Sequence, residues 1–126
     1  MFRFHTASYI ARGVYMINSL ELNIPLEVKK DIGIAVDTLL EKLSFNISKI
    51  VLFGSYAKGK YQPDSDIDIA VVLNELPAAK ELRYYKQIVE LDRDIDLLFC
   101  TTEQLTSDKF VYRWINEQGV VLYEKL

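Results

Sequence analysis

Between Val51 and Val72 the chain reads VLFGSYAKGKYQPDSDIDIAVV: an apolar run, a Gly-Ser turn, a short polar loop, and a second apolar run carrying two alternating aspartates. A β-strand sends successive side chains to opposite faces. In Asp66-Ile67-Asp68-Ile69 both carboxylates therefore share one face, while Ile67 and Ile69 take the other. At ~4 Å and an effective dielectric of about 20, two like charges repel by roughly 4 kcal/mol, so the pair calls for a cation, a shared proton or open water. Carboxylate oxygens suit Mg²⁺ or Mn²⁺, whereas zinc asks for His or Cys. Upstream, Gly54-Ser55 follows the run Ile50 to Phe53, where a glycine turn lets backbone approach a ligand and its N–H groups can hold a phosphate.

Two familiar loops match this stretch in part. Gly54 to Lys60 satisfies G-x-x-x-x-G-K, but Tyr61 stands where a P-loop needs Ser or Thr for its metal, and Gln62-Pro63-Asp64 is a turn where the P-loop opens a helix. Asp64, Asp66, Asp68 and Glu75 fall at positions 1, 3, 5 and 12 of a calcium loop, yet Ile69 replaces the glycine of position 6. The β-type run from Ile67 also carries Glu75 ~23 Å beyond Asp68. A solvated acidic strand edge beside an ordinary glycine turn is the plain structural alternative.

Gly54-Ser55, ten intervening residues, and Asp66-x-Asp68 resemble the signature of the nucleotidyltransferase superfamily that includes DNA polymerase beta, in its minimal form. The surrounding GSYAKG and SDIDIAVV are similar to the minimal family's motif, and the likeness runs from about Leu26 to the C-terminus. Lys58 stands where many relatives carry Arg, a different phosphate-binding group. The resemblance implies that Asp66 and Asp68 bridge two Mg²⁺ ions, with Mn²⁺ as a substitute. It also implies that Gly54, Ser55 and Lys58 hold the phosphates of a nucleoside triphosphate, with ATP expected as donor. A third acid is required. A strand over Asp94–Phe99 sets Asp94 and Asp96 on one face; the family's third acid sits between apolar neighbours, as Asp96 does between Ile95 and Leu97. Asp66, Asp68 and Asp96 are thus the expected catalytic and metal-binding set, with Asp94 as the alternative to Asp96.

The rest of the chain supplies a frame for this site. At 126 residues it has room for one core. Fifteen basic against eighteen acidic residues, net charge −3, argue against general nucleic-acid binding, which depends on neutralising phosphates. Cys100, the single cysteine, cannot form an internal disulfide and is expected as a buried thiol. No secretory or membrane-spanning apolar run occurs, so a cytoplasmic protein is expected. Tyr9, Ile10, Val14, Ile17 and Leu20 recur at helical spacing and predict a helix over Thr6 to Leu20. Residues 1–24 are read as an N-terminal helical arm that packs on the domain, contacts a partner or forms the seam of a homo-oligomer; 25–126 are read as the nucleotidyltransferase domain.

Within that domain a helix is predicted over Leu26–Leu43, followed by a strand at Lys49–Phe53, a short helix after Ser55 and a strand at Asp66–Leu73. A helix over Ala78–Leu91, the strand at Asp94–Phe99, a helix over Glu103–Glu117 closed by Gly119, and a strand at Val120–Tyr123 complete it. The sum is an α/β domain, a mixed sheet of about four strands with packed helices.

Nearly all the chain is spent on the catalytic core, so the acceptor is expected on another protein. Minimal nucleotidyltransferases of this type resemble antitoxins that pair with helical HEPN RNase toxins and transfer AMP from ATP to a toxin tyrosine. The competing expectations are a non-catalytic module that masks its partner by contact, and an enzyme that modifies a small molecule such as an antibiotic.

Overall fold

The computed structural model describes residues 14–15, 23–43 and 45–125. Its longest helix, α1, runs over Leu26–Leu43, the span that the apolar spacing predicts. Pro25 starts it, its carbonyl accepting from the N–H groups of Val28 and Lys29. Glu27 in the first turn and Lys42 in the last complement the helix dipole. Val28, Ile32, Val36, Leu39 and Leu43 form the buried stripe.

That stripe lies on one face of a mixed sheet. Its strands are β1 (Val14–Tyr15), β2 (Ile47–Phe53), β3 (Ile67–Leu73), β4 (Ile95–Thr101) and β5 (Val120–Lys125), in the order β1-β5-β2-β3-β4. The four longer strands are the ones the sequence predicts, and the two-residue β1 is added at the edge. The chain's last strand thus sits inside the sheet, antiparallel to both β2 and β1. β2 and β3 are antiparallel, joined through the short helix α2 (Ser55–Lys58) and the polar loop. β3 and β4 are parallel, as a crossover through helix α3 (Ala79–Ile88) requires. Alternation along β3 works as the pattern predicts: Ile67, Ile69, Val71 and Leu73 join the core beneath α1. Ala70 and Val72 turn to the opposite face, where Val51, Phe53, Cys100, Leu105 and Ile115 make a second, smaller core. Cys100 is fully buried there, and burial pushes its thiol up to about 11.

Three expectations change. The helix expected over Glu103–Glu117 is two helices, α4 (Thr102–Leu105) and α5 (Phe110–Gln118). Between them the Thr106 hydroxyl donates to the Glu103 carbonyl and the Ser107 hydroxyl accepts from the Lys109 N–H, so side chains take over backbone bonding and interrupt the helix. Thr101 caps α4 through a capping box with Gln104. Gly119 does end α5, but with φ −73° it is extended rather than left-handed. A side chain there would meet the Ile115 carbonyl and the Val51 side chain, so close approach is what demands glycine. Thirdly, α3 stops at Ile88 instead of Leu91, because Val89 is already extended and turns inward to be buried.

The helix expected over Thr6 to Leu20 lies mostly outside the described residues; the two of them that are described, Val14–Tyr15, form β1. No helix among the described residues is long and apolar enough to cross a membrane.

Candidate active site

The start of β3 and the start of β4 lie side by side at one end of the sheet. Their parallel register pairs Asp68 with Asp96 and Ile67 with Ile95. Neighbouring strands lie roughly 4.8 Å apart, so the two carboxylates rise from adjacent backbones on the same face. Asp66 precedes β3 by one residue, two back from Asp68 and on its side. The three acids thus converge, and their mutual repulsion is visible in Asp68: burial, then the charges of Asp96 and Asp66, push its carboxyl up to about 6. Asp66 and Asp96 are exposed and Asp68 is half-buried. Asp94 is exposed as well and lies two residues before Asp96, just ahead of β4, where its carbonyl accepts from the Ile67 N–H at 3.0 Å. That bond continues the ladder in the register that pairs Asp68 with Asp96.

Gly54 arrives over this cluster from the end of β2. Phe53 pairs with Asp68 across the antiparallel ladder, and the next residue turns with φ 78° and ψ −155°, a region open essentially to glycine alone. A Cβ on Gly54 would occupy the space of the Asp68 carboxylate. The Gly-Ser turn and the paired acids, separate in sequence, are therefore in van der Waals contact. Ser55 begins α2, whose single turn is closed by the Lys58 N–H donating to the Gly54 carbonyl at 3.2 Å.

Lys58 is exposed, with its Nζ 3.8 Å from the centroid of the Trp114 ring on α5. Its partner here is an aromatic face, and Phe110 packs on the same indole with centroids 4.9 Å apart. A cleft of about 550 Å³ at the other end of β3 is lined by Phe45, Asn46, Glu75 and Leu76 and contains none of these groups.

Sequence reasoning missed one contact beside the site. Arg93, one residue before Asp94, donates from Nε to Asp31 Oδ2 at 3.0 Å and from Nη1 to the Tyr56 hydroxyl at 3.4 Å. The available signal was Asp31 itself, which lies among Val28, Ile32 and Ala35 on the apolar stripe of α1, where an acid needs a partner.

Known proteins decide what this arrangement belongs to. The family model described as "Nucleotidyltransferase domain" matches residues 34–118, which is 85 of the chain's 126 residues and spans α1 to α5. This chain is a nucleotidyltransferase-family protein. A 60-residue stretch is 38% identical to a Methanocaldococcus jannaschii protein named "Putative protein adenylyltransferase"; the match covers 48% of this chain and 54% of that relative, about half its length. Among solved structures, a toxin–antitoxin crystallised with AMP-PNP is 30% identical, with 72% of each chain covered and a TM-score of 0.55. A mutant of the toxin–antitoxin MntA-HpeT is 26% identical over 71% of this chain and 69% of that one, again with a TM-score of 0.55.

The nucleotidyltransferase family implies divalent metal at the acids, and the donor set fits it. Asp66, Asp68 and Asp96 offer only hard oxygen donors, and burial followed by the charges of Asp96 and Asp66 raises the Asp68 carboxyl, a combination that a bound cation would relieve. Among the described residues no group of three or more His, Cys, Asp or Glu side chains is gathered closely enough to hold a metal ion by itself. An open acidic face suits Mg²⁺, which takes one or two carboxylates and leaves the rest of its shell to water and phosphate.

Proposed function

We propose that this nucleotidyltransferase transfers a nucleoside monophosphate, AMP from ATP, to a hydroxyl on a partner protein, and that the acceptor is a tyrosine of a HEPN-type toxin which it thereby neutralises. The observation that carries the chemistry is the packing of Gly54 against Asp68, which brings a phosphate-binding turn onto the acidic face. The names of the relatives support the acceptor class: one is called a protein adenylyltransferase and two are parts of toxin–antitoxin structures.

In this reading Asp66 and Asp68 hold Mg²⁺, Asp96 completes the acidic face toward the acceptor, and the Gly54-Ser55 turn grips the outer phosphates through backbone N–H and hydroxyl. Bound there, the metal supplies charge neutralisation at the attacking and leaving oxygens. The acceptor oxygen bonds to the α-phosphorus as the bond to pyrophosphate breaks, and the hydroxyl proton leaves to the acidic face or to water. Lys58 joins the phosphates by leaving the Trp114 ring. Trp114 is the single tryptophan, so ATP binding is expected to change the protein's intrinsic fluorescence, and Lys58→Ala to remove most of that change.

Proton competition follows from Asp68. Burial and then the charges of Asp96 and Asp66 push its carboxyl up to about 6, and metal requires the ionised form. Mn²⁺ affinity is therefore expected to be about tenfold weaker at pH 5 than at pH 7, as titration calorimetry at the two pH values would read.

The function is tested by mass spectrometry of the chain with Mg²⁺ and each of the four NTPs, alone and with the protein encoded beside its gene. A gain of about 329 Da on the neighbour with ATP, the mass that AMP transfer with loss of pyrophosphate adds, is the expected result. Neutralisation of an unlabelled neighbour by Asp66→Asn/Asp68→Asn protein would instead make this chain a masking module.

A further inference from the structure

Asp31 is the one buried polar or charged side chain among the described residues, 7% exposed within the apolar stripe of α1. Its partner is Arg93 at 3.0 Å, itself only 24% exposed at the side chain. A buried ion pair is weak evidence of stabilisation, because desolvation offsets the attraction and apolar replacements are often neutral or better. The pair therefore invites a different explanation, and its third member supplies one. The same guanidinium reaches the hydroxyl of Tyr56, which is 2% exposed, follows Ser55 directly and stacks on Tyr61 with centroids 4.8 Å apart. On the chain side, Arg93 precedes Asp94, whose carbonyl accepts from the Ile67 N–H and so joins the two strands just ahead of their paired acids.

We infer that Arg93 is a positioning residue: anchored on Asp31, it ties the Gly54-Ser55-Tyr56 turn to the strand that carries Asp96, and so fixes the distance between the phosphate-binding turn and the acidic face. The guanidinium fork suits this because it serves two partners in a fixed geometry, whereas a lysine ammonium can keep the Asp31 charge without holding Tyr56 in place. The role in turnover rests on the function proposed above; the tether itself does not.

Three variants test it. Arg93→Lys keeps the buried charge, Tyr56→Phe removes only the hydroxyl, and Asp31→Leu/Arg93→Met replaces the ion pair with apolar side chains, so that no single folding failure removes the test. Hydrogen exchange on the ligand-free proteins reads the tether: the hydrogen-bonded amides of Lys58, Gly59, Lys60 and Ile67 are expected to exchange about tenfold faster in all three variants, with thermal midpoints within a few degrees of the parent. Transfer kinetics read its use: kcat is expected to fall about 10- to 100-fold while KM for ATP stays within about threefold, the signature of misplaced rather than lost groups. Unchanged exchange would overturn the tether. Faster exchange with unchanged kcat would make the network purely structural and overturn the positioning role. If the parent protein transfers nothing to any acceptor, the proposed function fails, and exchange alone decides the tether.

Discussion

Asp68→Asn is expected to leave a folded protein that transfers nucleotide at least about a thousandfold more slowly, the scale of losing a charge-stabilising group from a reacting centre. The same substitution is expected to help the fold. Asp68 carries a raised carboxyl, at about 6 against an ordinary 3.8, so the native state holds a proton that the unfolded chain has already lost. Native stability therefore declines as pH rises from about 4 to about 6, and above that the penalty is fully present. Asn has no charge to confine beside Asp66 and Asp96. Metal-free Asp68→Asn should consequently melt at or above the parent's temperature at pH 8, with the gain vanishing near pH 4. Calorimetry at the two pH values, set beside transfer assays, checks both halves. A variant that loses stability at pH 8 would mean that the carboxylate holds the fold together, contrary to the repulsion described.

Gly54→Ala is expected to fail for two independent reasons. The backbone at φ 78° and ψ −155° is a glycine conformation, and forcing a side chain into it costs on the order of 1–3 kcal/mol. The new methyl would also fall on the Asp68 carboxylate, so the turn must lift or the acid must swing away. Either movement separates the turn from the acidic face, and displacements of about 1 Å cost on the order of a hundredfold in rate. Urea denaturation and the transfer assay would measure the two effects. Gly54→Ala/Asp68→Ala separates them: removing the carboxylate relieves the clash and should restore part of the stability, while activity stays lost.

Much of this geometry was legible in the sequence. The bounds of α1 follow from Pro25 and the apolar spacing through Leu43, and the alternation of Asp66 to Ile69 gives both the buried face and the acidic one. A threonine cap at Thr101 or Thr102 was readable as well; the structure selects Thr101 and adds the capping box with Gln104. Register was not. Asp94 and Asp96 share a strand face in any period-2 reading, and what sets Asp96 opposite Asp68 is the register of the whole β3–β4 ladder, which no side-chain pattern within either strand encodes. The break between α4 and α5 was misread because Val111, Trp114 and Ile115 repeat at helical spacing and Leu105 was counted with them, although it lies six residues before Val111 and off that face; Thr106-Ser107-Asp108-Lys109, with its competing hydroxyls, was the overlooked signal. The contact of Arg93 with Asp31 spans 62 residues and depends on the segment just before β4 folding back against α1. Local periodicity carries no such information beyond the oddity of an acid on an apolar stripe.

The central claim is nucleotidyl transfer, and the position of a label in the donor tests it most directly. With Mg²⁺ and the neighbouring protein, ATP labelled at the α-phosphate should leave its label on the acceptor, and ATP labelled at the γ-phosphate should not. Label retained from the γ-phosphate would mean phosphorylation, and label from neither, with ATP still bound, would contradict the account.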